Sequence, residues 1–195
     1  TSRELAGVSA RSLRRRRRGD PWAAAVAEEL RHGFERLGPT YTKLGQMVAS
    51  SPALFPAWLV EGMQGCLDQV RPLPLTTVLC VVEAELGAPA SELFERFEPV
   101  PLASASIGQV HAATTVDGHE VVVKVQRPGI VALIEADIRL LTDAAAFAER
   151  RSRRARLVQL RATVEDFAAT LADELSFMVE ARAMEAIGAA LEDFS

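Results

Sequence analysis

The chain has 195 residues, 49% of them hydrophobic and 25% charged, and a formal net charge of −4. That balance excludes a disordered chain and allows one ordinary domain, or a small domain with a helical extension. The net acidity removes the global positive field that would draw the chain to nucleic acid, although arginines cluster at Arg14–Arg18 and again at Arg150, Arg151, Arg153, Arg154 and Arg156.

Residues 1–19 read as a flexible basic arm with at most weak affinity for anionic lipid. No apolar core follows the arginines, so the segment is not read as a signal peptide, and Thr1 in place of Met is read as a fragment boundary. Asp20-Pro21 offers an N-cap followed by proline in the first helical turn. Trp22, Val26, Leu30, Phe34 and Leu37 then recur on one helical face, and Gly38-Pro39 ends that helix. Further helices are expected over 40–49, 56–68 and 76–86, the last closed by Gly87. The pattern changes near Phe97, which sets the expected boundary between a helical extension, 20–96, and a second domain, 97–195. Residues 109–116 and 119–126 read as strands joined by the hairpin signal Asp117-Gly118. Helices follow over about 130–150 and 163–187. The expected fold class is α+β, with a short antiparallel sheet of three strands behind a helical extension. Cys66 and Cys80 match no metal-ligand or redox spacing and read as reduced thiols of a cytoplasmic protein. No apolar run approaches the roughly 18 residues of a membrane span.

Four segments carry chemistry. In the strand Glu120–Gln126, alternation places Val121, Val123 and Val125 on one face and Val122 and Lys124 on the other. A lysine in so apolar a strand calls for an anion, and a phosphate or a helix carboxylate would serve. Before the hairpin, Ala103, Ser104, Ala105, Ser106, Ile107, Gly108 and Gln109 form a small-residue segment whose backbone N–H groups could approach phosphates closely. In the last helix, Glu174 and Glu180 would stand roughly 120° apart on a continuous helix and serve different partners. Near the N-terminus, Lys43, Gly45 and Gln46 lie together on a predicted helix. A glycine there costs about 1 kcal/mol relative to alanine, which close approach of another backbone or a nucleotide would explain.

Together these segments resemble the UbiB family of atypical protein-kinase-like proteins (AarF/UbiB type). The resemblance rests on Lys43-Leu-Gly-Gln46, Ala103-Ser-Ala-Ser-Ile-Gly-Gln-Val110, Val123-Lys-Val-Gln-Arg-Pro-Gly129 and Glu174-Leu-Ser-Phe-Met-Val-Glu-Ala181. It implies a kinase-like small lobe preceded by a helical extension, with the large lobe absent and an inserted helix at about 130–150. Lys124 would be the nucleotide-contacting strand lysine, and 103–109 the alanine-rich loop that replaces a glycine-rich one. Glu180 would be the helix partner of Lys124. Lys43, Gly45 and Gln46 would form a regulatory motif folded over the active site, with Glu174 as a partner of Lys43. Ser176 departs from the family pattern, which usually has aspartate there.

The resemblance further implies ATP as ligand, with magnesium expected only in a longer protein, and a link to isoprenoid lipid or quinone metabolism. The catalytic aspartate, asparagine and Asp-Phe-Gly segment of a kinase are not found within residues 1–195. The chain alone is therefore expected not to transfer phosphate. The expected partners are a nucleotide and an anionic or isoprenoid lipid surface, but no nucleic acid, with a place in the cytoplasm or peripherally at the inner face of the membrane. The alternative function is a non-catalytic module that docks on a membrane surface or a partner protein.

Overall fold

The structure, a computed structural model, describes residues 21–66, 70–178, 180–182, 184 and 187. The expected basic arm, residues 1–19, lies outside the described residues. The chain forms two compact units, Thr1–Leu67 and Asp68–Ser195.

In the first unit, helix α1 (Pro21–Leu37) is followed directly by α2 (Pro39–Ala49) and α3 (Ala57–Met63). Gly38 makes the corner at φ 109°, a conformation that favours glycine, and Pro39 opens α2 with its fixed φ. The three helices pack against one another around buried Val48, Met63 and Cys66, with Phe34, Phe55 and Leu59 closing the cluster. Ala27 of α1 is fully buried where Gly62 of α3 comes against it, and a Cβ at Gly62 would collide with the Ala27 methyl. Small residues on both helices allow that close crossing.

In the second unit, α4 (Leu75–Leu86) ends on Gly87 at φ 74°, a left-handed cap. A single helical turn, α5 (Ala90–Leu93), leads into β1 (Phe94–Phe97). Then come β2 (Ala103–Ser104), β3 (Gly108–Thr115) and β4 (Glu120–Gln126). The sheet therefore has four strands, not the expected three. All pairings are antiparallel and centred on β3, which pairs with β4 along Gly108↔Gln126 to Thr114↔Glu120 and with β1 and β2 along its other edge. Gly118 turns the β3–β4 hairpin at φ 87°.

Alternation gives the sheet two unlike faces. Val123 and Val125 of β4 join Phe94 and Phe97 of β1 and pack on Val78, Val81 and Val82 of α4. That face is a core. The other face carries Val122 and Lys124, both exposed, beside half-buried Val110 and Ala112. Helix α4, which the sequence reading grouped with the extension, is thus the backing of the sheet, because Val78 and Val82 repeat at one helical turn.

After β4 the chain forms α6 (Ile130–Arg151), a short α7 (Arg153–Leu157) and α8 (Leu160–Leu175). Helix α6 packs against α8, and Ile134, Ala145, Phe167 and Leu171 are buried. The single helix expected over 163–187 is interrupted. Ser176 takes an extended backbone, ψ 90°, and helical conformation resumes at Phe177. At the break Gln126 Nε2 donates to the Leu175 carbonyl at 3.0 Å, a tertiary partner for an acceptor at the helix end.

Among the described residues no helix is long and apolar enough to cross a membrane.

Candidate nucleotide site on the Lys124 sheet face

Lys124 rises from the face of β4 opposite the α4-backed core, and its ammonium meets the carboxylate of Glu180. The same ammonium sits 4.5 Å above the Phe177 ring centroid. Both partners come from the segment that follows the break at Ser176. With a straight helix, Glu174 and Glu180 would have been fixed on two faces of one cylinder. The break removes that constraint, so the 120° argument does not hold here.

The lysine side chain is 35% exposed and the glutamate 44%. An ion pair that wet contributes about 0–1 kcal/mol, and an exposed cation–π contact about 0.5–1 kcal/mol. The pair therefore does little to hold the fold. Its effect is to keep a cation at one position on an open face, where an anionic ligand can reach it.

The loop before β3 is built as a tight hairpin. Leu102 N–H donates to the Val110 carbonyl at 2.7 Å and Ala105 N–H to the Gly108 carbonyl at 2.8 Å. Arg127 clamps it from the end of β4. Its Nε donates to the Ala105 carbonyl at 2.9 Å and its Nη2 to Ser104 Oγ and the Arg71 carbonyl, each at 3.0 Å. The Arg127 N–H also donates to the Ile107 carbonyl at 2.9 Å. Ser106, Ile107, Gly108 and Gln109 are buried, while Ala103 is exposed and Ser104 and Ala105 are half-buried. Arg127 and Phe177 were not singled out from sequence. The available signal was their position inside the two segments that carry Lys124 and Glu180.

Gly108 and Gln109 do different things. Gly108 shares the Lys124 face, and a Cβ there would lie 2.6 Å from the Val125 carbonyl oxygen and 3.4 Å from Phe177 Cζ. Gln109 points the other way, into the core. Its Oε1 accepts from Leu73 N–H at 2.7 Å, and its Nε2 donates to His111 Nε2 at 2.7 Å. His111 Nδ1–H in turn donates to the Glu98 carbonyl at 2.7 Å, which fixes the neutral Nδ1–H tautomer. The Gln109 side chain is therefore turned away from the Lys124 face.

On that face lies an open cavity of about 560 Å³, lined by Arg96, Glu98, Ala112, Thr114, Glu120 and Val122 among others. Lys124, Glu180 and the 103–109 loop do not line it. Among the described residues no group of three or more His, Cys, Asp or Glu side chains could hold a metal ion.

Lys43, Gly45 and Gln46 lie on α2 in the first unit, whereas Lys124, Glu174 and Glu180 lie in the second. Within its own unit the glycine has a local explanation. A Cβ at Gly45 would stand 2.5 Å from Cys66 Sγ and 3.3 Å from Phe34 Cδ2. Gln46 Nε2 donates to the Cys66 carbonyl at 3.4 Å. Burial pushes the Cys66 thiol up, the Glu35 carboxylate adds to the shift and Arg31 opposes it, so Cys66 is a packing residue and a poor nucleophile. Gly45→Ala should destabilise the chain by about 1–3 kcal/mol through overpacking, net of the alanine's helix preference. In a Cys66→Ala background the same change should be neutral or stabilising. Urea unfolding of the four forms tests the coupling, and additive effects would contradict it.

A sheet backed by a helix on one face, with a strand lysine paired to a helical glutamate on the other, is the small lobe of a kinase-like fold. Comparison with known proteins gives the same class. Residues 65–195 match the model of the ABC1 atypical kinase-like domain. An uncharacterized Mycobacterium tuberculosis protein is 42% identical over 186 residues, covering 95% of this chain and 38% of that protein. A probable protein kinase UbiB of Marinobacter nauticus is 40% identical over 154 residues, covering 79% of this chain and 28% of its own length. An uncharacterized chloroplastic aarF domain-containing protein kinase of Arabidopsis thaliana is 38% identical over 164 residues, 84% of this chain and 30% of that protein. The chain belongs to the ABC1 atypical kinase-like family, which includes proteins named UbiB and aarF, and it spans about a third of the length of these relatives.

Proposed function

We propose that this chain is the ATP-binding part of a UbiB-type atypical kinase or ATPase, a phosphotransferase-class protein that acts in isoprenoid lipid or quinone metabolism. The observation that carries the nucleotide reading is the placement of Lys124. Its ammonium stands on the sheet face opposite the α4-backed core, held by Glu180 and Phe177 beside an Ala/Ser hairpin. ATP, once bound, supplies the phosphoryl group. The chain's own residues bind and orient: Lys124 neutralises phosphate charge, Glu180 keeps Lys124 in place, and the clamped loop brings backbone N–H groups close. The metabolic link rests on the family resemblance and on relatives named UbiB.

Isothermal titration with ATP tests the binding role. Lys124→Met removes a charge-assisted contact, a loss of about 1.5–3 kcal/mol, or roughly 10- to 150-fold in affinity. Glu180→Gln should weaken binding less, because it frees the lysine without removing it. Equal ATP affinity for Lys124→Met and the unsubstituted chain would sink the proposal.

A further inference from the structure

The connection between α6 and α8 forms the tip of a helical pair, and that tip is strongly basic. Arg150, Arg151, Arg153, Arg154 and Arg156 are all exposed. Immediately beside them stand two adjacent aliphatic side chains turned to solvent, Leu157 at 73% and Val158 at 65% exposure. Two leucine-sized groups exposed side by side within a charged run lack a partner inside the unit, and water is a poor one.

The tip is a built structure. Ser152 Oγ caps α7 by accepting from Ala155 N–H at 3.4 Å. Arg156 Nη1 donates to the Glu149 carbonyl at 2.6 Å, and Glu149 Oε1 accepts from Arg161 N–H at 3.0 Å. Gln159 takes a left-handed conformation at φ 49°, which turns the chain back into α8. Arg151 covers the Phe147 ring at 4.9 Å. The nearby acids already have partners: Glu149 is engaged as described, and Glu165 pairs with Arg161 at 3.1 Å. Among the described residues, Arg150, Arg153 and Arg154 enter no ion pair. Several cations without an ion pair among the described residues are therefore held by a hydrogen-bonded connection around an apolar point.

We propose that this tip docks on an anionic lipid bilayer, with Arg150, Arg153 and Arg154 meeting headgroup phosphates while Leu157 and Val158 enter the acyl boundary. Charge complementarity selects an anionic surface. The aliphatic pair selects a surface with an apolar layer behind its charge, which a polyanion in water does not offer. A nucleic acid would call for aromatic faces interleaved with the cations, and residues 150–158 contain no aromatic side chain; Phe147, one turn earlier, carries Arg151 over its ring. The docking surface is separate from Lys124 and does not depend on the nucleotide reading.

The test is co-sedimentation of the full 195-residue chain with vesicles of phosphatidylcholine, alone or mixed with phosphatidylglycerol, at low and high salt. Arg14–Arg18 are replaced by glutamine in a parallel set, so that their contribution is separated. Binding should require phosphatidylglycerol and fall with salt. R150Q/R153Q/R154Q should weaken it about 100-fold, at about fivefold per arginine. L157S/V158S should also weaken vesicle binding but leave retention on immobilised polyglutamate unchanged. The substitutions lie on exposed positions, and circular dichroism checks that the fold is kept. The proposal is overturned if the arginine variant partitions like the unsubstituted chain, or if L157S/V158S binds vesicles undiminished. Retention on polyglutamate without vesicle binding would also overturn it, and would assign the tip to an acidic protein instead.

Discussion

Gly108→Ala is expected to lower the unfolding temperature of the chain by about 4–12 °C, the shift that a loss of about 2–3 kcal/mol produces in a chain of this size. The added methyl would lie 2.6 Å from the Val125 carbonyl oxygen. That oxygen belongs to the backbone of β4, and Gly108 pairs directly with Gln126. A flexible side chain could swing aside, but a ladder carbonyl moves only by shifting the β3–β4 register or opening the hairpin. On the other side the methyl would come into contact with Phe177, at 3.4 Å, the ring beneath Lys124, so a shift of β3 is felt there. ATP binding should therefore fall along with stability. Gly33→Ala provides the opposite case. Nothing lies within 4 Å of a Cβ built at Gly33 in α1, so that change should stabilise by about 0.5–1 kcal/mol through helix propensity alone. Thermal unfolding of the two variants side by side decides the matter, and an unchanged or raised midpoint for Gly108→Ala would contradict the close approach.

The second large effect is expected at Gln109. Gln109→Leu keeps most of the volume but strands the Leu73 N–H donor and the His111 Nε2 lone pair in a site where glutamine is 1% and histidine 0% exposed. A buried group left without a partner costs about 1–3 kcal/mol, and the Leu73 N–H is only half-buried, so the substitution should destabilise by about 1–4 kcal/mol. It should also loosen three segments at once, because the chain of bonds from Leu73 through Gln109 and His111 to the Glu98 carbonyl ties the connector before α4, strand β3 and the end of β1 together. Urea unfolding gives the measure. A midpoint close to that of the unsubstituted chain would show that these polar groups find other partners at little cost. Gln126→Leu loses the bond to the Leu175 carbonyl at a half-buried position. It should therefore cost less stability while disturbing the Lys124–Glu180 contact more.

The contrast between Gln109 and Lys124 shows which parts of the site can be read from residues alone. Lys124 was legible because strand alternation is local: once Val121, Val123 and Val125 are assigned to the core, the lysine must face outward. The hairpin was legible for the same reason, since Asp117-Gly118 supplies the positive φ that the turn needs. Gln109 was not legible. In sequence it is the polar end of a small-residue loop, and only the folded positions of Leu73 and His111 reveal that it is a core residue. Strand β1 escaped notice because Phe94-Glu-Arg-Phe97 carries no apolar–polar alternation and no turn signal, so its strand character comes from pairing with β3. The break at Ser176 was hidden in the same way. Glu174-Leu-Ser-Phe-Met continues an acceptable helical pattern, and the competing hydrogen bond comes from a strand 49 residues away.

That hydrogen bond has a consequence for how accurately the cation and its counter-charge can be aligned. Gln126 stands two positions beyond Lys124 on β4 and grips the carbonyl of Leu175, five positions before Glu180. Both ends of the Lys124–Glu180 contact are thus measured from one short piece of strand. If β4 tilts or slides, the origin of the lysine and the anchor of the glutamate's segment travel together, and their separation changes less than either displacement. Had the glutamate stood on an unbroken helix docked only through its own packing face, every error in that docking would have appeared in full at the ion pair. A common datum on the strand, obtained by breaking the helix at Ser176, lets an exposed and weakly bonded pair keep its spacing while its surroundings move.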